Sequence, residues 1–344
     1  MTRPTRRVAV ALAAAALPVA AACGGAAKAP AAAHRLPQAG TVVGTLRLSP
    51  RQENALLAAR PGRLYAIVTT GRASQFTVVR EAGGAVTRRR VAFNLSNFLM
   101  DVSAGPDGFY AGTAVITRLR DVPDVLLRID PRTLRVVART SFPARVSTVE
   151  QRGSMWAAIG DGRVVRLDPR TLKILGSQQV LSTAAVAAGG SLSAPAVGAG
   201  SLWVLAGEAP KLELVRIDPA TLAIRSRTAL AAQGVRAGAV HAVAARGKSV
   251  YLVGSELVAI RANGTVARIS SAVPELEAAE VDGSTLVGLA GGPAALVRLD
   301  ARGRVVRRTA LRDASAQLAV SGRDAWFVGN AGRGDGIVHV RLAR

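Results

Sequence analysis

From Gly40 onward the chain runs in short stretches where apolar and polar residues alternate, each ended by a turn residue, as in "RLYAIVTT", "RVVARTSF" and "IVHVRL". A period of two sends successive side chains to opposite faces of an extended backbone, so these stretches predict β-strands with Gly, Pro, Asn and Asp at their corners. No segment from Gly40 on carries a sustained helical stripe.

The strands recur as a unit. "LLRIDPRTLRVVART" (126–140) returns as "VVRLDPRTLKILGSQ" (164–178) and "LVRIDPATLAIRSRT" (214–228). Taking the Asp as marker, Asp130, Asp168 and Asp218 are joined by Asp300 in "LVRLDARGRVVRRTAL" and by Arg261 and Arg80 in looser copies. The tail "IVHVRLAR" puts Ala343 at the marker and the head puts Pro37 there, which makes the spacing about 44 residues, the length of a four-stranded propeller blade. A second marker lies upstream of each copy. Tyr65, Tyr110, Trp156, Trp203, Tyr251 and Trp326, all the tyrosines and tryptophans of the chain, share one slot, and Leu286 fills it in the sixth copy.

Two periodic markers in register predict an all-β fold, a seven-bladed β-propeller of four-stranded antiparallel blades. The C-terminus stops after a third strand, and the missing fourth is at the head, where "TVVGTLRLSP" matches "RVVARTSFP" in spacing. The N-terminal strand therefore completes the last blade, which removes the exposed sheet edge of an open ring. The repeat resembles those of the seven-bladed superfamily that includes YVTN, NHL and quinoprotein-amine-dehydrogenase-like propellers, over nearly all of residues 40–344. That resemblance implies fold and leaves activity open, because propellers host unrelated functions.

The marker phrase reads as scaffolding. Its Asp ends a third strand, the Pro presets φ for a corner, and the Asp carboxylate accepts from amides two or three residues on. Where Pro and Thr are lost, "ARG", "ANG" and "AGG" supply glycine for a corner that needs positive φ. One aromatic per blade at a fixed strand position reads as packing between blades.

The head has a different character. Arg3, Arg6 and Arg7 precede an apolar run from Val8 to Ala22, which reads as a signal peptide over residues 1–22. The run ends in "AAACGG", which resembles the lipobox of bacterial lipoproteins with Ala20 where Leu is commonest; the resemblance implies lipid attachment at Cys23. The same alanines would serve an ordinary A-x-A cleavage and plain secretion, or the run could stay as an uncleaved anchor. Cys23 is the one cysteine, so no intrachain disulfide or cysteine metal cluster forms. Residues 23–39 read as a Gly/Ala/Pro tether and 40–344 as the propeller. The expected location is the extracytoplasmic face of the cell membrane, held by lipid.

Charge adds a candidate partner class. The chain carries 45 Lys and Arg against 22 Asp and Glu, net +23, which attracts anionic lipid or envelope polymer. The arginines are spread over the outer strands without interleaved stacking aromatics, so no specific nucleic-acid site is expected. Candidate chemistry is confined to the innermost strands, where His241 with Asp101, Glu150, Glu277 and Glu280 could look into a central channel and act as acid, base or cation ligand. His34 lies in the tether and His339 in a third strand. The sequence has no HExxH and no triad order. A quinoprotein-like docking repeat expects Gly after the Thr and a Trp beyond, whereas Leu134, Leu172 and Leu222 stand there, so no cofactor and no metal are expected.

These readings make the protein a monomeric, non-enzymatic binding or scaffold propeller for a protein, peptide or anionic envelope polymer. Its longest insertions lie at 114–124 and 182–200. The alternative is a propeller enzyme, lyase- or cyclotransferase-like, using the His241 channel cluster.

Overall fold

The computed structural model describes residues 38–47, 52–70, 75–92, 97–115, 123–151, 153–270, 275–282, 285–292, 294–300, 302–330 and 335–343. They form seven antiparallel sheets arranged in a ring, a seven-bladed β-propeller. Blades one to six span residues 52–92, 97–142, 146–179, 191–229, 240–270 and 276–310, each running from its innermost strand outwards. The seventh takes three strands from 313–342 and its outermost strand, Gly40–Arg47, from the head of the chain. Gly40 stands opposite Leu342 and Arg47 opposite Gly336, and the Ala343 amide donates to the Ala39 carbonyl at 3.0 Å. The ring closes as the repeat count requires.

Alternation along the strands explains why the core sits between blades and not within one. Each sheet turns apolar side chains from both faces toward a neighbour, giving seven hydrophobic clusters, one at each seam. The aromatic slot lies in these seams. Tyr65, Tyr110, Trp156, Trp203, Tyr251 and Trp326 are all buried, as is Leu286, and Tyr65 stacks on Phe109 of the next blade with ring centroids 5.5 Å apart. Seam packing leaves little slack. A methyl group on Gly112 would overlap the Val146 carbonyl of the following blade, so glycine is required for that close approach.

The fourth blade departs from the expectation of a long loop at 182–200. Ser182 caps a short helix, Thr183–Ala187, by accepting from the Ala185 amide. The innermost strand then comes in two pieces, Ser191–Leu192 and Ala196–Gly198. Pro195 has no amide to give the ladder. Ser193 fills the gap instead, its amide donating to the Leu205 carbonyl and its hydroxyl accepting from the Leu205 amide, both at 2.9 Å.

Candidate functional site

The repeated phrase is a turn that locks onto the preceding blade. In the second blade, Asp130 Oδ1 accepts from the Arg132 amide (3.0 Å), the Thr133 amide (2.6 Å) and the Thr133 hydroxyl (2.9 Å). Asp168 repeats the set at 2.9, 2.7 and 2.9 Å, and Asp218 accepts from the Ala220 and Thr221 amides at 2.8 Å each. Bonds led by the Thr133, Thr171 and Thr221 amides hold the three carboxyls below the usual carboxylate range. The leucine after the threonine does more than return the chain to the sheet. Leu134, Leu172 and Leu222 sit in the left-handed region at φ 55°, 61° and 64°, with their side chains buried in the seams. Burial of a large aliphatic, about 1.5–3 kcal/mol, outweighs the roughly 1–2 kcal/mol that this backbone conformation costs. Gly264 and Gly303 take the positive φ in the degenerate copies.

The turn prolines explain the polar ends of the aromatic slot. The Tyr110 hydroxyl donates to the Pro169 carbonyl, and the Trp156 indole N–H to the Pro219 carbonyl, both at 2.9 Å and both into the next blade. In the first blade Arg80 Nη1 makes the corresponding bond to the Pro131 carbonyl at 3.2 Å. Opposite the aromatic on the third strand stands a cation: Arg80, Arg128, Arg166 and Arg216 face Tyr65, Tyr110, Trp156 and Trp203. Tyr110→Phe should lower the melting temperature by about 2–4 °C, because the buried Pro169 carbonyl loses a donor worth roughly 1 kcal/mol. An unchanged melt would show that the seam does not depend on this bond.

The channel candidates stand at different heights along the innermost strands. His241 and Glu277 are exposed and occupy bulges near the starts of their innermost strands, the His241 Nε2 lying 3.4 Å from the Glu277 carbonyl oxygen. Asp101 lies near the middle of its strand, opposite Gly112. Its Oδ2 accepts from the Thr148 amide of the third blade at 2.8 Å, and burial pushes its pKa up to about 7. Glu150 and Glu280 lie toward the other end, in the lining of a cavity of about 320 Å³ with Arg246. Glu280 Oε2 accepts from the Val320 amide of the seventh blade at 3.1 Å, and burial raises its pKa to about 7. Glu150 reaches back to the second blade, accepting from the Asp107 amide at 3.3 Å, and burial raises its pKa as well. Three of the five thus clasp neighbouring blades through backbone amides. No group of three or more His, Cys, Asp or Glu among the described residues could hold a metal ion. Cys23 lies outside the described residues.

One polar cluster escaped the sequence reading. At the seam between the seventh and first blades a cavity of about 410 Å³ is lined by Glu81, Asp324, Trp326, His339 and Arg341. His339 stacks on Trp326 with centroids 4.7 Å apart and lies 3.0 Å from Asp324 Oδ1, which also accepts from Arg341 Nε at 2.7 Å. His339 fills the place opposite the aromatic that arginine holds elsewhere, so the signal was its cross-strand partner. The Trp326 indole donates to Glu81 at 3.2 Å, and the tight Gly83–Gly84 corner of the first blade offers no proline carbonyl here.

The fold recurs in solved structures that share little sequence. The chain is similar to one in the crystal structure of the mitotic checkpoint complex, with a TM-score of 0.67 at 12% identity over 94% of this chain and 100% of that one. It is similar to BamB from Moraxella catarrhalis (0.57, 15% identity, 88% and 98% covered) and to the WD40 β-propeller domain of Doa1 (0.63, 10% identity, 88% and 97% covered). No protein-family model and no curated protein matches the chain.

Proposed function

We propose that the protein is a non-enzymatic propeller lipoprotein, a rigid disc held by lipid at Cys23 on the extracytoplasmic face of the membrane, that binds a protein or cell-envelope partner. One observation carries the binding role: the segments that break the repeat gather on one face. Hairpin turns joining first to second and third to fourth strands fall on one side of an antiparallel blade, and the remaining connections on the other. The helix Thr183–Ala187 and the linker 230–239 both belong to that second, loop face. His241 and Glu277 open onto it. Asp101, Glu150 and Glu280, by contrast, are spent on seams, and His241 is not in the lining of the cavity that Glu150 and Glu280 share.

The anchor and the binding face are tested separately. Cys23→Ala should move the protein from the detergent-requiring membrane fraction to the soluble exported fraction and abolish incorporation of labelled palmitate. Retention in membranes would end the lipoprotein reading. A photo-crosslinking residue at the exposed Ala187 should give a discrete adduct in cells, while one at Val137, exposed on an outer strand, should not. Equal labelling at both sites would remove the loop face as the binding surface.

A further inference from the structure

We infer that the turn face of the disc, opposite the loop face, is an electrostatic docking surface for a bilayer of anionic phospholipid. Two independent features coincide there. The first is charge. The hairpin turns of six of the seven blades present exposed cations on this face: Arg63, Arg132, Arg170, Arg246, Arg302 and Arg323 in blades one, two, three, five, six and seven. The acids that share the face are held close to it. Asp130, Asp168, Asp218 and Asp300 are turned into their own corners, accepting from amides two to four residues on. Asp107 pairs with Arg170 at 3.0 Å and Asp324 with Arg341 at 2.7 Å. Among the described residues the loop-face connections carry fewer exposed cations, Arg145, Lys211, Arg236 and Arg312, and Arg236 is paired with Glu256. Cations scattered along the sequence are thus gathered by the fold at the turns of one face.

The second feature is where the chain enters the ring. The outermost strand of the seventh blade starts at Gly40, beside Leu342, so residues 38–40 emerge on the turn face. This step rests on the proposed anchor at Cys23. Sixteen residues of Gly/Ala/Pro-rich sequence, 24–39, give a coil-like reach of about 20 Å and a stretched limit of about 50 Å. The attachment point of the proposed anchor is thus on the cationic side of the ring, which shortens the path from that face to the headgroups. Attraction acts within a Debye length of about 8–10 Å, a distance the tether allows without strain. A membrane gains from several weak contacts at once, and a flat array of guanidinium groups one per blade supplies them without a pocket. Docked this way, the disc turns its loop face outward, where a partner can reach it.

The test uses residues 24–344 without the lipid, which keep every strand of the ring, so that the anchor plays no part in the result. Sedimentation with phosphatidylcholine vesicles containing phosphatidylglycerol should bring the protein down at low salt, and vesicles of phosphatidylcholine alone should not. Binding should weaken about fivefold for each turn-face cation removed, hence about a hundredfold in the triple variant Arg132→Gln, Arg170→Gln, Arg246→Gln. The matching outer-strand variant Arg88→Gln, Arg90→Gln, Arg139→Gln should bind as the parent does, and thermal melts establish that both variants are folded. Equal losses from the two triples would overturn the assignment to the turn face. So would indifference to phosphatidylglycerol, or binding to a soluble anionic wall polymer while vesicles are ignored. Release of Cys23→Ala from cell membranes is read independently, so the anchor can stand if the docking face fails.

Discussion

A chain that begins after Arg47 should fail to reach a monomeric folded state, and moving residues 38–47 behind Ala343 through a short turn should restore it. The strand Gly40–Arg47 pairs along its whole length with Asp335–Leu342. Its loss removes a ladder of backbone hydrogen bonds worth roughly 1 kcal/mol each, together with the packing of Val42 and Leu46 against their clusters. Together these reach the 5–15 kcal/mol that a whole domain of this kind has to spend. The truncated ring would also expose 335–342 as an open edge, a template for pairing with another chain. Because Ala343 already donates to Ala39, a hairpin of a few residues joins the two ends without moving either strand. The permutant should therefore melt cooperatively, close to the parent, while the truncation elutes as aggregate. A monomeric, cooperatively melting truncation would mean that six and three-quarter blades suffice and that closure is dispensable.

The contrast between what was legible in the sequence and what was not has a physical origin in the seams. The Asp130, Asp168 and Asp218 turns were readable because a corner constrains residue types over a few neighbours, whatever surrounds it. The aromatic slot was readable because six of the seven seams carry a large flat side chain at one height, with Leu286 in the other. The inner strands offered no such rule. Ladder shifts between Leu99 and Asp101, Val240 and Ala242, and Leu276 and Ala278 reset which side chains face which seam. An alternation counted across such a bulge misplaces everything beyond it. That is why the facing of Asp101, His241 and Glu277, each at or beside such a shift, is not readable from the alternation. The left-handed leucines were hidden for another reason: β-turn rules assign that conformation to glycine, and only the buried seam beneath Leu134 reveals why leucine is preferred there.

The seam acids should make the protein more stable in mild acid than in mild alkali. Asp101 and Glu280 accept one amide bond each across a seam, yet burial outweighs those bonds and the attraction of Arg145 and Arg246, raising both pKa values to about 7. In the unfolded chain both groups titrate near pH 4. Between about pH 4 and 7 the folded state therefore holds protons that the unfolded state has released. Stability is full below the lower value, falls by about 1.4 kcal/mol per pH unit for each group as pH rises, and levels off above 7. Glu150, also raised by burial, adds a smaller change of the same sign. Melting temperature should thus drop by about 10 °C or more between pH 5 and pH 8. The amide variants Asp101→Asn and Glu280→Gln keep an oxygen for the Thr148 and Val320 amides and remove the charge. Combined, they should match the parent at pH 5, exceed it at pH 8, and flatten most of the dependence between. A parent whose melt is level from pH 5 to 8, or a double variant that falls in parallel with it, would show that these carboxylates ionise as easily in the seam as in water.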